Sequence, residues 1–301
     1  MTLVPDHSGP IRFHRQQGPA TETLLINDAY RHLLSGAGLL DFNALWSAPG
    51  DLVKKKGERS VLRIEVPEGI GGTDTIVLYL KKHQQQLSPI RMLQRRLRQG
   101  DPSGEGPTEF FHYCRFRQAG LASAEPVAAG SRVVSAGRLD SFLLTRDFSP
   151  LVALEEIILR QPERLQGEEN AGKRTTLLVT IGRYARRMHD SGMNQKDFNA
   201  THLLLDNPES DRPLIALFDL QRVDRNRLNF WRWPLKALAE LNYTLPASIF
   251  SASERLLLFR AYTGKETLSP LHRCQLWLIR RKTAQIARHS RKRGLAPKMT
   301  E

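Results

Sequence analysis

The sequence contains only two cysteines, Cys114 and Cys274, and they stand far apart among its 301 residues. A zinc site or a disulfide framework uses several cysteines at short, repeated spacings, so the sequence favours neither. It also lacks any apolar run near the roughly 18 residues that a membrane-spanning helix needs. The first residues, MTLVPDHSGP, contain no continuous apolar segment of the kind found in a secretory signal. We therefore expect a cytoplasmic protein, either free or attached to a membrane surface.

Acidic residues are scarce relative to basic ones, with 31 against 45, which gives a net charge of +14 at pH 7. Such an excess implies anionic partners, whether phosphates, nucleic acid or an acidic membrane face, and does not choose among them. The stretch from Arg273 to Lys298 carries nine of the basic residues and no acidic one. With Leu276, Trp277 and Ile279 on one side, it predicts a basic amphipathic helix. Such a helix lies on an anionic membrane, contacts nucleic acid phosphates, or stays solvated.

The most informative stretch is Thr175–Arg222, whose pattern predicts a helix, a polar loop and a hairpin. Apolar residues recur at spacings of three and four until His189, and Gly192 follows as a left-handed cap. After the loop come two short apolar runs, Leu203–Leu205 and Leu214–Phe218. The turn between them is rich in Asp, Asn, Pro and Ser, which is typical of a β-hairpin.

This hairpin predicts a cluster of polar residues at one of its ends. In an antiparallel pair, the residue before the first strand and the residue after the second lie at the same end of the ladder. His202 and Asp219 then become neighbours, and Asp197 lies on the loop that leads to them. Phosphoryl transfer from a nucleotide uses one carboxylate to orient the acceptor hydroxyl and another to hold magnesium. A single Asp after a strand is more often a turn or capping residue, so the interpretation rests on the whole arrangement.

The segments HDSGMNQKDFNATHLLLD and LFDLQR resemble the catalytic loop and the metal-binding strand end of the lipopolysaccharide kinase (Kdo/WaaP-like) family. This family is a branch of the protein-kinase-like fold, in which H-R-D precedes an Asn and then D-F-G. The resemblance implies that Asp197 is the catalytic aspartate and that Asp219 carries Mg²⁺. His202 stands in the place of the Asn, where it contacts either the metal or a phosphate. Gln195 stands where the family has His.

The first half of the chain carries weaker parts of the same pattern. Val61–Val66 and Ile76–Leu80 predict two strands of a meander, with a glycine-rich turn between them. Lys81 closes the second strand and resembles the strand-borne lysine that contacts nucleotide phosphates in this fold. Strand alternation allows only one of Lys81 and Lys82 to face the nucleotide, and the family pattern selects Lys81.

Three further residues complete the nucleotide site that the resemblance implies. Lys56, in a basic turn ahead of the first strand, stands in the family's degenerate phosphate-covering loop, with a solvated basic turn as the alternative. A helix capped at its start by Thr108 places Glu109 in its first turn, where it either pairs with the strand lysine or complements the helix dipole. Thr145 lies in the predicted hinge and borders the adenine.

The resemblance implies an α+β, bilobal protein-kinase-like fold, in which an antiparallel sheet lobe with one main helix precedes a mainly helical lobe. We expect a loose arm over residues 1–23, the N-terminal lobe over 24–146 and the C-terminal lobe over 147–301. The second lobe is predicted to begin with an acidic helix over 152–166.

These features imply a kinase that uses ATP and Mg²⁺ to phosphorylate a heptose or Kdo hydroxyl of the lipopolysaccharide inner core. The basic tail would hold the enzyme on the inner face of the inner membrane. No long peptide-docking segment ending in A-P-E follows Asp219, which favours a glycolipid acceptor, and nucleic acid is not expected as a partner. Two alternatives stay open. One is a weak or inactive kinase-like scaffold, suggested by Gln195 and the missing G-x-G-x-x-G motif, and the other is a basic nucleic-acid-binding protein.

Overall fold

The computed structural model of the protein describes residues 10–17, 22–68, 74–86, 88, 104–135, 137–225, 232–292 and 294. The chain forms two compact units: unit 1 comprises residues 1–120 and 124–148, and unit 2 comprises residues 121–123 and 149–301. Unit 1 is built on an antiparallel sheet and unit 2 is mainly helical, as the sequence predicts. Residues 1–9 and 18–21 of the expected arm, and Arg293 and Lys298 of the basic tail, lie outside the described residues.

Unit 1 contains a seven-stranded antiparallel sheet within the part of the chain that the structure describes. Its strands are β1 (Phe13–Gln17), β2 (Glu22–Asn27), β3 (Asp51–Lys56), β4 (Arg59–Pro67), β5 (Thr75–Gln86), β6 (Pro126–Ser135) and β7 (Arg138–Arg146). They pair in the order β1-β2-β6-β7-β5-β4-β3. The helices of this unit are α1 (Arg31–Gly36), α2 (Phe42–Ser47) and α3 (Glu105–Gln118).

The core of unit 1 follows from the alternation of side chains along β5. Ile76, Leu78 and Leu80 point to the same face of the sheet and are buried in one apolar cluster with residues of α1 and α2. On α3, a Cβ at Gly106 would clash with the backbone carbonyl of Phe142 in β7. Glycine at this position therefore allows α3 to lie directly against the sheet.

Several boundaries in unit 1 differ from those that the sequence suggests. The segment Phe13–Gln17, within the expected arm, forms strand β1 and pairs with β2. Lys54–Lys56, which the sequence places ahead of the first strand, themselves belong to β3, and Gly57 and Glu58 turn the chain into β4. Lys81 does not close its strand, since the polar residues that follow it continue pairing with β7 as far as Gln86.

Helix α3 begins at Glu105 and not at Thr108, so Glu109 lies in its second turn. Pro107 does not prevent this earlier start, because a proline in the first turn of a helix removes no intrahelical hydrogen bond. The Thr108 hydroxyl donates a hydrogen bond to the Gly104 carbonyl at 2.8 Å instead of capping the helix.

Unit 2 is organised around a helix of 20 residues. Its helices are α4 (Leu154–Arg160), α5 (Ala171–Asp190), α6 (Trp233–Thr244), α7 (Ala252–Thr263) and α8 (Pro270–Lys292). Its short strands are β8 (Val152–Ala153), β9 (Asn194–Gln195), β10 (Leu203–Leu205), β11 (Ile215–Leu217) and β12 (Val223–Asp224). They form a three-stranded sheet in the order β11-β10-β8 and a separate β9–β12 pair.

Helices α5 and α7 pack closely and are joined by a buried ion pair. A Cβ at Gly182 of α5 would clash with the Leu258 carbonyl of α7. The Arg174 Nε atom lies 2.8 Å from Glu254 Oε1, and each side chain is only 9% exposed. Arg174 also donates to two backbone carbonyls, and Glu254 completes the capping box at the start of α7. These additional hydrogen bonds offset the cost of removing both charges from water.

The hairpin that the sequence predicts is confirmed, with Leu203 opposite Leu217 and Leu205 opposite Ile215. The helix expected over 152–166 is wrong at both ends. Its first two residues form β8 against β10, and α4 stops at Arg160 because Pro162 disfavours a helical conformation at the residue before it.

The basic tail forms helix α8 as expected, over Pro270–Lys292. Within the described residues, none of the helices combines the length and apolar character that crossing a bilayer requires.

Candidate functional site

A buried ion pair joins the sheet and the helix of unit 1. The Lys81 Nζ atom in β5 lies 3.0 Å from Oε2 of Glu109 in α3, and the Glu109 side chain is only 1% exposed. The Tyr113 hydroxyl approaches the other carboxylate oxygen at 3.4 Å. Because a carboxylate buried to this degree needs a charged partner, Glu109 fixes the position of the Lys81 ammonium.

The choice between the two adjacent lysines follows from strand alternation. Lys81 points to Glu109, whereas the Lys82 ammonium lies 5.5 Å from the centre of the Trp46 ring. Partial burial lowers the pKa of the Lys82 amine. The pairing of Lys81 with Glu109 is therefore the one that the sequence suggested, although Lys81 lies inside the strand and not at its end.

Sequence reasoning missed Glu105, one turn before Glu109. Its carboxylate contacts His83 at 2.9 Å, Arg59 at 3.0 Å and Gln85. Burial alone would raise the pKa of this carboxyl, but a hydrogen bond from His83 and the charges of His83, Arg59 and Lys81 outweigh it. The pKa of Glu105 therefore lies below its ordinary value of 4.5. The sequence suggests a helix that starts at Thr108, which leaves Glu105 in a loop. For that reason Glu105 was not recognised as a partner of the sheet.

In unit 2, the hairpin places His202 and Asp219 side by side. The Phe218 amide donates to the His202 carbonyl at 3.2 Å, which continues the strand pairing past Leu203. The His202 Nδ1 atom lies 2.8 Å from the Asp197 backbone carbonyl, so Nδ1 carries the hydrogen. In the neutral imidazole, Nε2 then presents its lone pair, and it lies 4.0 Å from Asp219 Oδ2. Two electron-pair donors facing each other in this way suit a cation between them.

The backbone of Asp219 adopts a left-handed conformation, with φ of 56° and ψ of 60°. Among the described residues it is the one non-glycine residue with positive φ. Such a conformation costs free energy for most side chains, and Asp and Asn tolerate it best. The buried Gln195 side chain donates through Nε2 to the Asp219 carbonyl at 2.6 Å. Gln195 thus braces the turn that carries Asp219.

Asp197 is held by Arg222, an ion pair that the sequence did not suggest. The Arg222 Nη1 atom lies 2.7 Å from Asp197 Oδ1, and the two side chains are 59% and 31% exposed. The Lys196 amide donates to the Arg222 carbonyl at 3.0 Å, next to the pairing of Gln195 with Val223. The loop and the segment after Asp219 are therefore joined through both backbone and side chains.

The remaining predicted residues, Lys56 and Thr145, lie in unit 1. Lys56 is exposed at the end of β3, and Thr145 is half-buried near the end of β7, opposite Tyr79. In the described residues, no three His, Cys, Asp or Glu side chains come together as a metal site.

His189, at the end of α5, connects the helices of unit 2 to the loop. Its Nε2 atom lies 3.0 Å from Asn194 Oδ1, and its Nδ1 atom lies 3.0 Å from the Tyr262 hydroxyl. An amide oxygen only accepts, so Nε2 donates, and a neutral ring then accepts from Tyr262 at Nδ1. Burial lowers the pKa of His189 to about 4, although the hydrogen bond with Asn194 raises it in part.

Comparison with known proteins identifies a matching family and similar proteins. A sequence model of the lipopolysaccharide kinase (Kdo/WaaP) family matches residues 43–262. The chain is 26% identical over 245 residues to the lipopolysaccharide core heptose(I) kinase WaaP of Pseudomonas aeruginosa, which covers 79% of this chain and 85% of that protein. It also resembles a solved structure of WaaP in complex with acyl carrier protein, with a TM-score of 0.61 and 23% identity. That match covers 87% of this chain and 98% of the other and shows a shared fold.

We predict that the His189 imidazole stays neutral in the native protein down to about pH 4. An unfolded histidine has a pKa of 6.5, so the unfolded state takes up a proton first as the pH falls from 6.5 to about 4. Native stability should then decrease by on the order of 3 kcal/mol across this window. NMR titration checks the pKa, with the resonance assigned from a His189→Gln variant, whose stability should fall less over the same window. A native His189 resonance that titrates near pH 6.5 would contradict the prediction.

Proposed function

This chain belongs to the lipopolysaccharide kinase (Kdo/WaaP) family, and from that premise we propose that it transfers a phosphoryl group from ATP to a heptose or Kdo hydroxyl of the inner core. The family assignment makes it a phosphotransferase with a sugar hydroxyl as acceptor. The choice of sugar and the use of ATP and Mg²⁺ are part of the proposal. The observation that carries it is the joint position of Asp197, His202 and Asp219 at one end of the β10–β11 hairpin.

We assign to Asp197 the orientation and deprotonation of the acceptor hydroxyl. The charge-assisted hydrogen bond from Arg222 occupies Oδ1 and restricts the rotamer of the carboxylate. Oδ2 is then the atom that accepts the proton. A correctly positioned general base of this kind typically contributes a factor of about 10² to 10⁴ to the rate.

The nucleotide and its metal ion fit the remaining residues. Mg²⁺ in phosphoryl-transfer enzymes typically binds one or two carboxylates and takes its other ligands from phosphates and water, where it neutralises phosphate charge. Asp219 offers the oxygen ligand that Mg²⁺ prefers, and His202 supplies a nitrogen beside it for the metal or a phosphate. Lys81, held by Glu109, would contact the phosphates. Lys56 and Thr145 would contribute a phosphate contact and a border for the adenine.

We also propose that the protein works on the cytoplasmic face of the inner membrane, where helix α8 contacts anionic lipid. Leu271 and Trp277 of this helix are 67% and 56% exposed, which is unusual for large apolar side chains. Arg273 and Arg288 are exposed on the same helix. Apolar side chains that enter the lipid boundary beside arginines are typical of helices that lie on acidic membranes.

Asp197→Asn tests the proposed chemistry. We expect the rate of phosphate transfer from ATP to de-phosphorylated core lipopolysaccharide to fall at least about a hundredfold, because the amide cannot accept the proton. Asp190→Asn is the matched control, since Asp190 forms an exposed pair with Arg186 on α5 and should leave the rate unchanged.

Equal rates in the wild type and Asp197→Asn would exclude the role assigned to Asp197. If the wild type transferred no phosphate and bound no nucleotide, the scaffold interpretation would replace the kinase. Tight, strongly salt-dependent binding of RNA or DNA in place of nucleotide would favour the nucleic-acid alternative.

The membrane proposal predicts co-sedimentation with vesicles that contain phosphatidylglycerol and not with vesicles of phosphatidylcholine alone. The double change Leu271→Ser and Trp277→Ser should weaken vesicle binding by about tenfold or more, because it removes the apolar contacts. Leu159→Ser is the control, since Leu159 is 40% exposed on α4 and lies outside the proposed surface. Equal binding of wild type and double variant to the anionic vesicles would contradict the role of α8.

A further inference from the structure

A basic cavity lies next to the catalytic loop, entirely within unit 2. It has a volume of about 520 Å³ and is bordered by residues of β9, β12, α6 and α8. Asp224 is the carboxylate among its lining residues. Against it stand five cationic side chains, those of Lys196, Arg232, Lys236, Arg281 and Lys282. The cavity therefore carries a clear excess of positive charge.

The cavity adjoins the catalytic aspartate. Lys196, which lines it, directly precedes Asp197 in the loop. Glu240, a half-buried residue of α6, is close enough to both Asp197 and the cavity lysines for their charges to act on its pKa. Burial raises this pKa, Lys236 and Lys282 lower it, and the charge of Asp197 raises it further. An anion in the cavity would therefore lie near the hydroxyl that Asp197 orients.

Two of the cations of the cavity contact neutral partners. Lys282 Nζ donates to the Gln285 amide oxygen at 3.1 Å, and the Arg281 guanidinium lies 5.4 Å from the centre of the Trp277 ring. These partners fix the side chains without offsetting their charge. Cations gathered in a concave site repel one another, and a bound anion relieves that repulsion. The arrangement is that of a binding site for an oxyanion.

The cavity also has apolar walls that suit a sugar. Leu235 and Leu278 line it together with the largely buried Trp233. Apolar side chains pack against the C–H faces of a sugar ring, while a few polar groups fix its orientation. A pocket that combines such walls with several cations fits an acidic glycan better than an isolated inorganic ion.

We infer that this cavity binds the acidic part of the acceptor glycan, through a carboxylate or a phosphate on a sugar next to the one that is phosphorylated. The inference rests on the proposed function, since it gives the acceptor of that reaction a second point of attachment. Lys236 and Lys282 act as specificity-determining residues. They bind the acceptor and take no part in proton or phosphate transfer.

The test compares two pairs of substitutions that remove the same charge. Lys236→Gln combined with Lys282→Gln removes two of the five positive charges that line the cavity and keeps polar side chains of similar length. Arg183→Gln combined with Lys265→Gln is the control, because both residues are exposed in unit 2 and lie outside the cavity. We expect the cavity pair to raise KM for the core glycan about tenfold or more. The kcat and the KM for ATP should change less than about twofold in both pairs.

Calorimetric binding of the deacylated core oligosaccharide gives a readout that does not need catalysis. One arm uses the oligosaccharide with its carboxyl groups reduced to alcohols, and another uses it with its phosphates removed. We expect one of these changes to weaken wild-type binding about tenfold and to have little effect on the cavity pair. If reduction of the carboxyl groups weakens binding, the anion is a carboxylate. If removal of the phosphates weakens binding, the anion is a phosphate.

The inference is overturned if the cavity pair and the control pair have the same KM and affinity, or if neither chemical change weakens wild-type binding. The calorimetric result decides this even if the wild type transfers no phosphate. A wild type that transfers no phosphate would contradict the proposed function. The calorimetric experiment would still test the cavity as a binding site for an acidic glycan.

Discussion

The pairing of Leu203–Leu205 with Ile215–Leu217 is the constraint on which the candidate site in unit 2 depends. All six side chains are buried, so a shift of the register by one residue would bring polar His202 or Asp206 opposite a buried apolar residue. The register in turn places His202 beside Asp219. The hydrogen bonds of His202 and Gln195, to the Asp197 and Asp219 carbonyls, then tie the loop to this end of the hairpin. The burial of the two apolar strands therefore determines where these polar groups lie.

The parts of this structure that could be predicted from the sequence are those that short-range patterns determine. Two short apolar runs around a turn predicted the hairpin. Strand alternation allowed only one of Lys81 and Lys82 to face the nucleotide, and the family pattern selected Lys81. The start of α3 was missed because Pro107 resembles a break, although in a first turn it is tolerated. The strand at the start of the predicted helix 152–166 was missed. Val152 and Ala153 pair with a strand about 50 residues later, and a local pattern does not reveal such a pairing.

The left-handed backbone of Asp219 and the ion pair of Arg222 with Asp197 were also beyond sequence reasoning. Both depend on how the segment after β11 folds back on β9. No short-range pattern in the sequence predicts that contact. Composition gave the sign of the net charge but not its distribution. The structure places basic residues in an ion pair at the loop that carries Asp197, around the cavity beside it and along α8, which contributes Arg281 and Lys282 to that cavity.

The most direct measurement is the thermal stability of Asp219→Asn with and without Mg²⁺ and a non-hydrolysable ATP analogue. Asn tolerates the left-handed conformation, so the variant should keep the fold and lose only the negative charge. At a hundred times the dissociation constant, the ligand should stabilise the wild type by about 2.7 kcal/mol. Asp211→Asn, an exposed change in the turn of the same hairpin, should gain as much, whereas Asp219→Asn should gain little. A full Mg²⁺-dependent gain in Asp219→Asn would contradict a metal-nucleotide site at this end of the hairpin.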